Sequence, residues 1–220
     1  MMRSDLPEVR AGAAAAVAIL LLVPFVLLAA LVAGDWAPLH DLDRSVTDSL
    51  NRAALDHPAL TTAMTWWTNI FQPNVFRLAA LGLVIWLVRN GNRGPAVWVA
   101  VTMIAGGLLG GLLKLLVGRD RPELLEPVSS AVGQAFPSGH ALNSVLGIAI
   151  FLVLFPHSLP LRVAAVVIPV GTAISRVVLG VHWTSDVVAG LLLGVAVVVV
   201  SLAVFQRLAG RRRVPENVAG

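Results

Sequence analysis

From residue 11 onward the chain alternates long apolar runs with short polar breaks. Ala11 to Ala33 contains no charged residue. A run of that length makes a helix able to cross hydrocarbon roughly 30 Å thick, for which about 20 residues suffice. It is too long for the apolar region of a signal peptide and shows no evident cleavage site, so it is expected to be a retained span. Five further runs follow, each bounded by Gly, Pro or charge: Asn69 to Val88, Pro95 to Val117, Gly139 to Phe155, Leu161 to Val178 and Ser185 to Phe205. The pattern predicts an all-α integral membrane protein of six transmembrane helices, one domain over residues 1–210, with a disordered basic tail at 211–220. Pro58 to Gln72 carries Thr and Trp at amphipathic spacing and is predicted to lie in the membrane interface.

The arginines orient this layout. With the N-terminus in the cytoplasm, the inner segments hold Arg3 and Arg10, Arg89 and Arg93, Arg162, and Arg207 with Arg211 to Arg213, whereas Gly34 to Pro58 is mainly acidic. Basic residues gather on the cytoplasmic side of membrane proteins. The segments Gly118 to Ser138 and Leu179 to Thr184 then both emerge on the outer face, where their polar groups can converge. Composition agrees: 57% of the 220 residues are hydrophobic and 13% charged, more apolar surface than a soluble core hides. The net charge of +4 sits in short loops and the tail, which argues for anchoring at the bilayer rather than for a nucleic-acid partner. There is no cysteine, which excludes disulfides and thiolate metal sites. Fifteen of the 16 basic residues are arginine, and Lys114 is the single lysine.

Three polar clusters fall in the outer segments. In "KLLVGRDRP", Lys114 ends the third span and Arg121 follows seven residues later, beside Pro122. Both suit snorkelling at a span end, and Arg119 between them reads as a solvated loop charge. In "PSGH", Pro137 to His140 suit a helix start capped by Ser138. In "SRVVLGVHWTSD", Arg176 lies near the outer end of the fifth span, and His182 and Asp186 are four residues apart. That spacing brings a carboxylate to an imidazole on one helical turn, either as a structural polar pair or as tautomer control for a nucleophile or base. Together the clusters supply three cations, a helix N-terminus and two histidines. Cations and free backbone N–H groups make an oxyanion cradle, for which phosphate is the commonest guest. Two histidines can divide attack on phosphorus from protonation of the leaving oxygen, with the cations stabilising the transition state and no metal or other cofactor required. An anion channel or transporter, and a metal-dependent hydrolase using His140, His182 and Asp186 as a facial triad, are the competing readings.

The order Lys-x6-Arg-Pro, Pro-Ser-Gly-His, Ser-Arg-x5-His-x3-Asp resembles that of the type 2 phosphatidic acid phosphatases, relatives of the vanadium haloperoxidases. Every position of the pattern is met, at Lys114, Arg121-Pro122, Pro137 to His140, Ser175-Arg176, His182 and Asp186. The resemblance implies a bundle related to the haloperoxidase core and a metal-independent lipid phosphate phosphatase working through a phosphohistidine. It further implies His182 as nucleophile, Asp186 as its orienting partner and His140 as general acid. Lys114, Arg121, Ser138, the Gly139 backbone and Arg176 would hold the phosphate. Substrates implied by the family are polyprenyl diphosphate, phosphatidylglycerol phosphate and phosphatidic acid. From the arginine distribution they are expected to be met at the outer face, and the arginine-, alanine- and valine-rich composition suggests a bacterial plasma membrane.

Overall fold

The computed structural model describes residues 10–124 and 128–211. Arg3, the tail from residue 212 and residues 125–127 of the outer loop lie outside the described residues. Among the described residues there are eight helices: α1 (Ala11–Ala33), α2 (Ala37–Asp56), α3 (Pro58–Ile70), α4 (Pro73–Arg89), α5 (Arg93–Val117), α6 (Gly139–Leu154), α7 (Leu159–Val178) and α8 (Thr184–Arg211).

All six expected runs are helical, but they are not six equal spans. Among the described residues five stretches are long and apolar enough to cross a membrane, while α6 has 16 residues. At 1.5 Å per residue α6 covers about 24 Å, somewhat less than the hydrocarbon thickness, yet it joins the two ends of the bundle. Pro58 to Gln72, expected in the interface, forms α3 over Pro58–Ile70 and leads through Phe71 and Gln72 into α4, the pair making one apolar stretch from Pro58 to Arg89. Pro73 opens α4 rather than interrupting a span. It takes the first-turn position, where its missing N–H costs nothing, and holds Gln72 extended at ψ 156°.

Helices α6 and α8 lie at the centre. α6 packs on α4, α5, α7 and α8, while α8 also holds α1. Leu142, Leu146 and Ile150 recur four residues apart on α6 and meet Leu193 and Val197 of α8, Val99 of α5 and Leu83 of α4. Where hydrocarbon replaces water, such packing rather than burial from water drives helix association, and polar side chains pin it. Thr102 of α5 donates to Ser201 of α8 at 2.9 Å, and Trp98 Nε1 donates to the same hydroxyl at 3.2 Å. The outward faces stay apolar, as at Leu20, Leu78, Leu108, Leu115 and Val166.

The two short turns 90–92 and 155–158 lie at one end of the bundle. At the other end the last turns of α5 and α7 and the first turns of α6 and α8 converge, with α2 and α3 packed alongside on α7. That convergence carries the three polar clusters.

Candidate active site

Leu179 to Trp183 make the turn between α7 and α8. Gly180 has φ of 67°, a left-handed conformation that side chains resist, and an added Cβ would collide with Leu124. The turn presents His182, 2% exposed, toward the first turn of α8, where Asp186 is fully buried. His182 Nδ1 lies 3.3 Å from Asp186 Oδ2, which also accepts the Trp183 N–H at 2.9 Å. A carboxylate can only accept, so Nδ1 carries the ring proton and Nε2 presents its lone pair. Arg121 Nη1 donates to that Nε2 at 3.2 Å. Burial pushes the His182 imidazole down to about 4 against the pull of Asp186, and the charges of Arg121 and Arg176 add to the fall. The ring is therefore neutral at pH 7, the form a nucleophile needs.

The cations come from three elements. Lys114, in the last turn of α5, donates to the Gln134 carbonyl at 2.5 Å, so the loop returns alongside that helix one turn inside its end. Arg121 donates to the carbonyls of Gly133 at 2.7 Å and Val181 at 2.6 Å, which aim its guanidinium at His182. Burial lowers the Arg121 pKa, with Asp186 opposing, but a guanidinium stays charged in proteins. Arg176, in the last turn of α7 and 7% exposed, donates to the Thr68 hydroxyl of α3 at 3.0 Å. His140 lies in the first turn of α6.

Ser138 occupies the N-cap position of α6, yet its hydroxyl caps nothing. Ser138 Oγ and Arg176 Nε are buried without a hydrogen-bond partner. Leaving such groups unsatisfied costs about 1–3 kcal/mol each. Phosphate oxygens are the kind of acceptor both could take, and the first N–H groups of α6, that of Gly139 among them, are unpaired donors at a helix N-terminus. The backbone there is held by Ser138 N–H donating to Asp186 O at 2.9 Å. The approach requires Gly190 on α8, where a Cβ would sit 2.6 Å from Ser138 O. The structure thus draws all eight residues of the expected site to one end of the bundle. Among the described residues no three His, Asp or Glu side chains are grouped to hold a metal ion.

Arg119 departs from its expected role. Its side chain is 12% exposed and bridges two carboxylates, Asp43 at 2.7 Å and Asp186 at 2.8 Å. Two elements bring this about: the loop after α5 turns inward, and α2 lies beneath it. Asp43, Thr68 and Trp183 were not singled out by the sequence. Trp183 meets the His40 ring at a tilted angle of 55°, lies under Arg119 and donates to Asp120 O at 2.9 Å. Beside the site a cavity of about 450 Å³ is lined by His40, Arg44, Arg119, Arg121 and Trp183. Arg121 therefore stands between that polar cavity and His182.

A family model described as the PAP2 superfamily matches residues 95–209, more than half of the chain and the whole of the motif region. The chain belongs to the PAP2 superfamily. Among PAP2 relatives, a lipid A 1-phosphatase of Rhizobium etli is 36% identical over 106 residues, 44% of each chain. A lipid A 4'-phosphatase of Bacteroides thetaiotaomicron is 31% identical over 161 residues, 61% of this chain and 71% of the relative. The chain spans about half the length of the lipid A 1-phosphatases it matches. The crystal structure of a transmembrane PAP2 type phosphatidylglycerolphosphate phosphatase from Bacillus subtilis superimposes with a TM-score of 0.68 at 24% identity, over 91% of this chain and 98% of that one. The PAP2 fold, an all-helical integral membrane bundle, is thereby shared.

Proposed function

We propose that this PAP2 protein is a lipid phosphate phosphatase that hydrolyses the phosphomonoester or diphosphate of a membrane lipid through a phosphohistidine, without a metal ion. The observation that carries this reading is the line Asp186–His182–Arg121: a neutral imidazole with its Nδ1 proton committed to a carboxylate and its Nε2 lone pair beside a cation. His182 Nε2 attacks phosphorus, the bond from phosphorus to the leaving oxygen breaks, and His140 supplies the proton that oxygen takes up. Arg121 exchanges its contact with Nε2 for a phosphoryl oxygen as the new bond forms. Lys114, Arg121, Arg176, Ser138 Oγ and the Gly139 N–H stabilise the charge on the equatorial oxygens. A water deprotonated by His140 then attacks the phosphohistidine, and inorganic phosphate leaves with the histidine restored.

The site faces the outer leaflet in this reading, because Arg89, Arg93, Arg162 and Arg207 gather at the opposite end. The lipid tail stays among the helices while the head group reaches Arg121 through the polar cavity. Lipid A, phosphatidylglycerol phosphate and undecaprenyl diphosphate, substrates named for relatives, set the panel to assay. Phosphate release by purified protein in detergent with excess chelator tests the reading. Release from at least one lipid phosphate is expected, inhibited by vanadate, whose trigonal bipyramidal adduct mimics the transition state. His182→Ala should lower it about 1,000-fold or more. A strict need for added metal, or phosphate-lipid transport with no hydrolysis, would contradict it.

A further inference from the structure

Asp43 lies on α2, far in sequence from the motif region. The face that α2 buries holds Asp43, Thr47, Asn51 and Ala54. A helix burying so polar a stripe needs partners for it, and a carboxylate 1% exposed needs them most. Asp43 Oδ1 accepts the Ser185 N–H at 2.9 Å, and Oδ2 accepts Arg119 Nη2 at 2.7 Å together with the Ser185 hydroxyl. Arg119 Nη1 in turn donates to Asp186 Oδ1 at 2.8 Å and to Ser185 Oγ at 2.6 Å. Asp186 Oδ2, the remaining oxygen, is the one that meets His182 Nδ1. An unbroken chain of charge-assisted hydrogen bonds thus runs from α2 to the imidazole.

We propose that Asp43 is a positioning residue for His182, holding one arm of the Arg119 guanidinium so that Asp186 keeps Oδ2 for the imidazole. A guanidinium beside a single carboxylate tends to take both its oxygens in a fork. With Nη2 held by Asp43, Arg119 offers Asp186 only Nη1. Asp43 also fixes Ser185, the residue before Asp186, through both its N–H and its hydroxyl. The inference rests on the reading of His182 as the nucleophile.

Asp43→Asn keeps the shape and removes the charge. Arg119 is then free to close on both oxygens of Asp186, and its charge is no longer balanced by a second carboxylate. Both changes disfavour the protonated ring. The other groups around it are unaltered: Asp186 on α8, Arg121 in the loop, Arg176 on α7 and His140 on α6. In rapid-quench assays Asp43→Asn should form phosphoenzyme about 10- to 100-fold more slowly, the scale of losing an outer partner of an oriented histidine, with KM within about twofold. The acid limb of kcat/KM should move to lower pH by about half a unit. Asp43→Glu, which keeps the charge, should leave the limb in place. Arg119→Lys, whose ammonium cannot fork onto both oxygens of Asp186, serves if Asp43→Asn does not fold: it should slow phosphoenzyme formation while the acid limb does not move to lower pH. An unmoved acid limb in folded Asp43→Asn, or losses that follow the fall in melting temperature, would make Asp43 a strut of α2 and overturn the proposal. Absence of phosphoenzyme on His182 in the unaltered protein would instead overturn the function proposed above.

Discussion

His182 is an imidazole kept neutral by its surroundings, and that has two measurable consequences. Its pKa of about 4 in the folded protein lies below the ordinary value of 6.5. Between those values the unfolded chain binds a proton that the folded chain refuses, so the stability His182 contributes is complete above about pH 6.5 and is lost as pH falls toward 4. Melting curves in detergent should fall across this window with a slope that His182→Asn makes shallower; equal slopes would contradict the assignment. The acid limb of kcat/KM should likewise lie near pH 4 in the free enzyme. Ser138 offers a different separation. Its hydroxyl is buried with no partner, so Ser138→Ala removes an unsatisfied group and should leave the melting temperature level or higher. The same change takes a donor from the phosphate and should raise KM about tenfold or more, the worth of a hydrogen bond to a charged group. A fall in stability with KM unchanged would make Ser138 a structural residue.

At the scale of elements, the close seating of α8 against the start of α6 decides the site geometry. Gly190→Ala would push a methyl to 2.6 Å from Ser138 O, and overpacking of this kind costs about 1–3 kcal/mol. Thermal denaturation and turnover should both suffer. Gly107→Ala, where nothing lies within 4 Å, should be neutral or slightly stabilising in both. The helices that carry the motif were legible because long apolar runs bounded by charge leave little choice in a bilayer. The eight expected site residues were legible because their spacing returns them to one end of alternating helices. Arg119 was not: a third arginine in a loop looks solvated until α2 is seen beneath it. The signal for Asp43 lay in the run Asp43, Thr47, Asn51, Ala54, a stripe of short polar residues on one face. Asp41, Arg44, Asp48 and Arg52 on the other faces disguised it as an exposed acidic segment. Thr68 was hidden because Pro58 to Gln72 read as interfacial, whereas Trp67 and Thr68 turn toward α7 and reach Thr172 and Arg176.

For the whole molecule, sidedness joins the arginine distribution to the chemistry. The chain has no cysteine, so single cysteines report without background. Cysteine at Val132, 98% exposed in the loop over the site, should react in intact cells with a membrane-impermeant maleimide. Cysteine at His157, exposed in the turn between α6 and α7, should react only after permeabilisation; the reverse pattern would put the candidate site on the cytoplasmic face and contradict the proposed orientation. In the proposed orientation the polar end of the bundle lies at the outer face, where a lipid head group would meet the cations while its tails remain in hydrocarbon. The central claim is that phosphate passes through His182. Purified protein quenched in alkali during turnover of a labelled lipid phosphate, then digested and mapped by mass spectrometry, tests it most directly. An acid-labile, base-stable phosphoryl group on the peptide containing His182, absent from His182→Ala and accumulating in His140→Ala with a good leaving group, is the result predicted. Turnover with no phosphopeptide, or label on His140, would contradict it.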